Sequence, residues 1–468
     1  MPKKVLVNLG VRHSLVPATS KNFLQQDKET VKALKIRWYI LVVYLFYAGI
    51  SCFQWVEYSI LTNIVMRYYD VKLSLVDWTG VMFMIVWPLF VFPSSFMIDK
   101  WGLRFAALTG CFLTTVGTAI KVFSINRNAF QIVLIGQAIV SLSQVFILSL
   151  PPKLASTWFK SNELSTVCSI GIFGMQLGSA LGFLIPPIIV KDEPDLDEVG
   201  NGLKVLCWAL TFAVIPAFLA ILIYFPHEPK YPPSFALADA RANVEKVTLS
   251  TYLLELKELM TNMGFLIHML VYSISYGTFS AFGTLLNQVI LSFFPGAVED
   301  AGRMGLIMIM IGMCGGFLTG IVLDRTHKYK ESNIVIYFGI SCSLTALLLS
   351  LHFKEITSSY ITIAIFGFFV NAYIPAGIEF ALELTYPVNE STTTGLLTAA
   401  SQVLGVLFTL GLSHINQTMG TLWSLIIQIS LLFVGTILSM LVPSNLKRQQ
   451  AYSRASGTWI GFIELPQS

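Results

Sequence analysis

Three residues able to meet a polar or charged solute, Gln54, Trp55 and Glu57, stand within four positions of one another in a stretch that is otherwise largely apolar. A carboxylate at the centre of a bilayer costs ~3 kcal/mol, so such residues face a wet cavity or a partner. Trp55 can offer its ring face to an organic cation, worth up to about 2 kcal/mol when desolvated, or serve as packing. Glu57 is open to three roles: pairing a cationic solute, carrying a coupling proton, or bonding a neighbouring helix. Gln137 and Gln144 fall seven positions apart and so on nearly one helical face, and Gln402 follows Thr398 and Ser401. Their amides suit a hydroxyl-bearing ligand or helix–helix bonding equally.

A second group, Tyr272, Tyr276, Phe279, Ser280 and Phe282, is interrupted by Gly277 and Gly283, as expected of a helix bent over a cavity or of plain packing. Asn371, Pro375, Glu379 and Glu383 follow, the two glutamates at i, i+4, where pairing with basic gating loops is favoured over contact with a solute. His268 is the one histidine clearly inside an apolar run. No HExxH, GxSxG or phosphate-cradling loop occurs, which argues against an enzyme and against an ATP-driven pump. The six cysteines show no CxxC spacing, so no metal site, disulfide framework or resident cofactor is expected.

The elements that must carry these residues follow from composition. Of 468 residues, 55% are hydrophobic and only 12% charged, and the mean hydropathy is +0.70. The charged share is about half that of soluble proteins, so lipid is the main solvent. The net charge of +4 is scattered, which excludes a nucleic-acid partner. Runs of about 20 apolar residues bounded by charge or proline predict twelve spans: 37–66, 78–98, 104–125, 129–150, 163–190, 203–225, 263–292, 302–323, 333–353, 358–386, 392–415 and 420–443. Most of the 30 Lys and Arg fall on one side if both termini are cytoplasmic, and this sets the orientation. The expected organisation is a cytoplasmic tail 1–36, a six-helix half 37–225, a cytoplasmic linker 226–262, a second half 263–443 and a tail 444–468. Within the linker, Leu249, Leu253, Leu256 and Met260 recur at helical spacing, fitting an interfacial helix or a solvated connection. The plasma membrane and a monomer are expected. Asn416-Gln417-Thr418 is a glycosylation sequon in a short outer loop.

Internal repetition sharpens the fold. Asp99-Lys100-Trp101-Gly102-Leu103-Arg104 after span 2 is echoed by Asp324-Arg325 after span 8, the aspartates 225 residues apart. Glu163, Thr166 and Gly178 match Glu390, Thr393 and Gly405 at an offset of 227. This predicts an all-α polytopic membrane protein of two six-helix pseudo-symmetric halves, resembling the major facilitator superfamily, with its solute site between the halves at the midplane. Asp99, Lys100, Arg104, Asp324 and Arg325 read as latches that break and reform as the halves rock. The offset of 225 sets Trp55 opposite Ser280.

Phe53-Gln54-Trp55 with Tyr58-Ser59-Ile60, Ser143-Gln144-Val145-Phe146, Leu181-Gly182-Phe183-Leu184 with Pro186-Pro187, Thr284-Leu285-Leu286-Asn287-Gln288 and Thr385-Tyr386-Pro387 resemble the feline leukaemia virus subgroup C receptor family across residues 36–445. The resemblance implies an alternating-access carrier of choline or ethanolamine, with haem as an alternative cargo. In choline-carrying members the cation lies between the tryptophan and a span 7 tyrosine, with glutamines of spans 4 and 11 nearby. Trp55, Gln144 and Gln402 match. Ser280 replaces the tyrosine, Met175 a span 5 asparagine, and Glu57 a glutamine. Tyr276, one turn from Ser280, can supply the missing ring. For haem, only Met175 and Tyr276 among the cavity candidates are iron-ligating types. A carrier of another small metabolite and a non-transporting receptor of the same fold are the remaining readings, and retention of both Asp-basic loops favours the carrier.

Overall fold

A computed structural model describes residues 34–160, 163–226, 229, 249–443 and 446–449. Most of both tails, 1–36 and 444–468, and residues 227–228 and 230–248 of the linker therefore lie outside the described residues. Helix is the only regular structure among those described, and twelve helices are long and apolar enough to cross a membrane. Spans 1 to 6 cover Ile36–Phe53, Leu73–Ile98, Lys100–Ile125, Phe130–Trp158, Thr166–Ile189 and Leu196–Tyr224. Spans 7 to 12 cover Met263–Phe293, Val298–Leu323, Tyr329–His352, Ile356–Thr385, Glu390–Thr418 and Thr421–Leu441. Hydrocarbon offers the backbone no partner, so each crossing segment satisfies its own amides as helix.

Several segments differ from the sequence expectation, among them span 4, which runs on to Trp158 rather than ending near 150. Span 1 is not one helix: it ends at Phe53, turns through residues 54–58, and resumes as a 3-10 turn, Ser59–Leu61, and a helix, Thr62–Tyr69. Within the break, Trp55 N–H bonds the Cys52 carbonyl at 3.3 Å and Val56 N–H the Phe53 carbonyl at 3.4 Å, tightening the turn. The carbonyls it frees are met from outside, by Gln137 Nε2 on Gln54 O at 2.9 Å and Asn287 Nδ2 on Ile60 O at 2.7 Å. Span 2 starts at Leu73 and so takes in Asp77, which the sequence reading left outside the run. Span 6 starts at Leu196, because the Asp195 side chain accepts from Asp197 N–H at 2.9 Å and caps the helix. Within the linker, Leu249–Thr261 is helix.

The helix that carries spans 2 and 3 is broken near the start of span 3 at Gly102, whose φ of 80° turns the chain. Span 5 lays Gly174, Gly178 and Gly182, four residues apart, along span 1. A Cβ on Gly178 would run into the backbone of Gly49, and one on Gly182 would sit 2.5 Å from Phe53 O. Small residues at this spacing let backbones approach where no hydrophobic force drives helices together. The outer faces carry large apolar side chains, among them Leu89, Phe212 and Ile223, each more than three-fifths exposed, as lipid contact requires. The halves, spans 1–6 and 7–12, meet where span 5 packs on span 8, span 2 on span 11, and span 1 on span 7.

Candidate substrate cavity

Between the halves lies a cavity of about 240 Å³ whose wall includes Trp55, Gln144, Met175, Tyr276, Ser280 and Gln402. Six of the eight residues expected at the solute site are thus brought together, from spans 1, 4, 5, 7 and 11. Among the described residues, the wall contains no Asp, Glu, Lys, Arg or His. Trp55 is half-buried and extends toward span 7, where a Cβ on Gly283 would stand 3.5 Å from its ring. Tyr276 stacks on Tyr272, with centroids 6.4 Å apart and planes 12° apart. Gln402 Nε2 lies 3.5 Å from the Tyr276 hydroxyl, while its Oε1 is buried without a hydrogen-bond partner. Gln144 Nε2 donates to Ser51 O at 3.3 Å, and Met175 Sδ accepts from the Tyr44 hydroxyl at 3.5 Å.

The other two candidates are corrected. Gln54 and Glu57 are buried away from the cavity wall. Glu57 forms an ion pair with Lys121 of span 3, which leaves the helix-bonding role as the one the geometry realises. Gln54 Nε2 bonds Ile50 O at 3.3 Å, and its carbonyl receives Gln137. Gln137 and Gln144 therefore separate, the first serving the span 1 break and the second the cavity. His268 is a packed core residue, with Nε2 2.7 Å from Gly377 O and its ring edge-on to Phe380 at 4.9 Å.

The gating candidates divide. The side chains of Asp99 and Asp324 lie outside the described residues. Lys100 sits 5.6 Å over the Trp101 ring, Arg104 donates to Leu222 O at 3.1 Å, and Arg325 is exposed. Glu379 and Glu383 meet residues that follow span 12. Arg448 lies 3.7 Å from Glu379 and 3.3 Å from Glu390, and Gln449 N–H donates to Glu383 at 3.2 Å. The geometric reason is reach: Val442 packs with Phe380 and Leu384, which brings the segment after span 12 onto the end of span 10.

Lys121, Gln176 and Asp77 were missed. Gln176 lines the cavity and donates to Asn371 Oδ1 at 3.3 Å, joining spans 5 and 10 across the halves. Asp77 accepts from Gln288 Nε2 at 2.7 Å and from the Ser413 hydroxyl, joining span 2 to spans 7 and 11. A lone lysine inside the run 104–125 and an aspartate beside Trp78 were the available signals.

The sequence profile of the Major Facilitator Superfamily matches residues 43–409. The chain is 38% identical over 421 residues to the zebrafish choline/ethanolamine transporter flvcr2b, covering 90% of this chain and 86% of that one. It is also 38% identical over 429 residues to a Caenorhabditis elegans MFS-type transporter, C09D4.1, covering 92% of this chain and 73% of that one. A bacterial homologue of the lysosomal transporter Spinster, solved in an inward-facing conformation, superposes with a TM-score of 0.69 at 13% identity over 89% of this chain and 99% of that one, which shows the shared fold. Twelve spans in two halves around a cavity, together with these likenesses over nine-tenths of its length, mean that the chain belongs to the major facilitator superfamily, within the feline leukaemia virus subgroup C receptor family, and is a membrane transporter.

Proposed function

We propose that this transporter carries choline or ethanolamine through the cavity between its halves. The observation that carries the reading is a wall with four aromatic residues, Trp55, Phe83, Tyr276 and Phe279, and an unpartnered amide oxygen but, among the described residues, no charged side chain. Trp55 and Tyr276 offer ring faces to an ammonium group, each worth up to about 2 kcal/mol in a desolvated site. Gln402 Oε1 accepts an N–H or O–H, and Gln144 supplies a further amide. A transported anion would find no cation there. A cavity of about 240 Å³ suits a molecule of choline's size far better than a porphyrin. The names of the relatives support the same substrate class.

Among the described residues no carboxylate or imidazole lines the wall, and on this reading an organic cation moves down its own electrochemical gradient without proton coupling. Both termini and the linker face the cytoplasm, in keeping with the distribution of Lys and Arg, and the protein works as a monomer in the plasma membrane. Asp99, Lys100 and Arg104, with Asp324 and Arg325, act as latches during alternating access.

Uptake of labelled choline and ethanolamine into cells expressing the chain tests the proposal. Saturable uptake is expected, unchanged between external pH of about 6 and about 8, the interval in which a histidine would titrate. Trp55→Ala should remove most of it at equal surface expression. Absence of uptake of either cation by surface-expressed protein would refute the substrate assignment, and a pH-dependent rate would refute uncoupled transport.

A further inference from the structure

Lys121 and Glu57 form an ion pair from which cavity, lipid and water are excluded, their side chains being 1% and 2% exposed. The chain makes a slot for the lysine. Spans 3 and 4 cross at Gly117 and Gly136, where a Cβ on Gly117 would stand 2.8 Å from Gly136 O and one on Gly136 would run into the Lys121 stem. The ammonium then lies 5.3 Å over the Tyr58 ring and 3.4 Å from Gln137 Oε1, while Gln137 Nε2 holds Gln54 O. Positions 54 and 57 are thus both tied to spans 3 and 4. Between them, Trp55 is the one residue from Ser51 to Leu61 that is not buried.

A buried ion pair adds little to stability over apolar residues of the same shape, and intramembrane charges are costly to insert. Two charges kept where hydrocarbon would pack therefore point to a geometric task. We infer that Lys121 and Glu57 are positioning residues, which pin the break in span 1 and so hold the Trp55 ring in the cavity, setting affinity for the transported cation without touching it. The affinity part rests on the substrate proposed above; the positioning part does not.

Glu57→Gln or Lys121→Met alone strands a charge and is expected to lower surface yield. The double variant E57Q/K121M removes both charges and is the informative one. It should reach the surface and raise the KM for choline about tenfold, the loss of one well-placed ring contact, with turnover per surface molecule unchanged. A second readout needs no substrate: with 5-fluorotryptophan incorporated in the purified protein, the Trp55 fluorine resonance, assigned by its loss in Trp55→Phe, should shift and broaden in E57Q/K121M. An unmoved Trp55 resonance overturns the positioning role. A moved resonance with unchanged KM overturns the link to affinity. Failure of the wild-type chain to take up either cation removes the substrate reading alone, and the resonance still decides the pair.

Discussion

Gln402 presents an amide oxygen without a partner beside the hydroxyl of Tyr276, so the cavity has an acceptor waiting where an ammonium group would lie against the ring. Ethanolamine carries N–H donors on its cation and choline carries none. A hydrogen bond to a charged group is worth about 1.5–3 kcal/mol, so Gln402→Leu should raise the KM for ethanolamine about tenfold or more. The KM for choline should change much less, and competition between the two cations in one uptake assay measures the difference. Equal effects would place the substrate hydroxyl at Gln402 instead. Trp55, Gln144, Tyr276, Ser280 and Gln402, all in the cavity wall, were legible because uncharged polar and aromatic side chains inside apolar runs stand out, and Met175 was named by the family resemblance alone. Asp77 and Lys121 were not legible, for physical reasons: bounding runs by charge turned the buried Asp77 into a boundary, the run expected at 78–98 stopping one residue short of it. Lys121 lay inside the run 104–125, but its partner Glu57 stands 64 positions away, and local spacing does not join them.

At the level of elements, length and hydropathy located all twelve spans, because a crossing helix must be continuous and apolar whatever it packs against. The interruption of span 1 was hidden, since residues 54–58 contain neither Gly nor Pro. It is held from outside by Gln137 and Asn287, 83 and 227 positions away from the carbonyls they meet. Contacts of that separation leave no mark on local spacing. Helix crossings were legible only in part: Gly178 was noted for its repeat in the second half, but its work is the close approach to Gly49. Gly178→Leu should therefore force spans 1 and 5 apart, at a cost of about 1–3 kcal/mol for overpacking, and lower the melting temperature of the detergent-solubilised protein by several degrees. Gly411→Ala is the control, because a Cβ there meets nothing within 4 Å. A melting temperature equal to wild type in Gly178→Leu would show that the crossing yields without cost.

The whole molecule is closed at the end away from the beginning of span 1 and the end of span 12. Asn287 on Ile60, Gln288 and Ser413 on Asp77, and Phe183 against Gly302 and Gly305 all join the two halves there. On the proposed placement of the termini in the cytoplasm this is the outer side, so that opening outward would break these bonds together. Asp77 is the hub, since among the described residues it accepts from both span 7 and span 11. Removing it takes away charge-assisted bonds worth about 1.5–3 kcal/mol each, and 1.4 kcal/mol already changes a two-state ratio tenfold. Asp77→Ala should then shift the population toward the outward-open state. Thr409 lies on span 11 between Gln402 and Ser413, fully buried and 3.9 Å from Met84 Sδ of the other half. A Thr409→Cys substitution should react at least about tenfold faster with an impermeant thiol reagent added outside when combined with Asp77→Ala, and choline uptake should fall because the return step is slowed. An unchanged labelling rate would mean that apolar packing at Phe183, rather than the Asp77 bonds, holds the outer side shut.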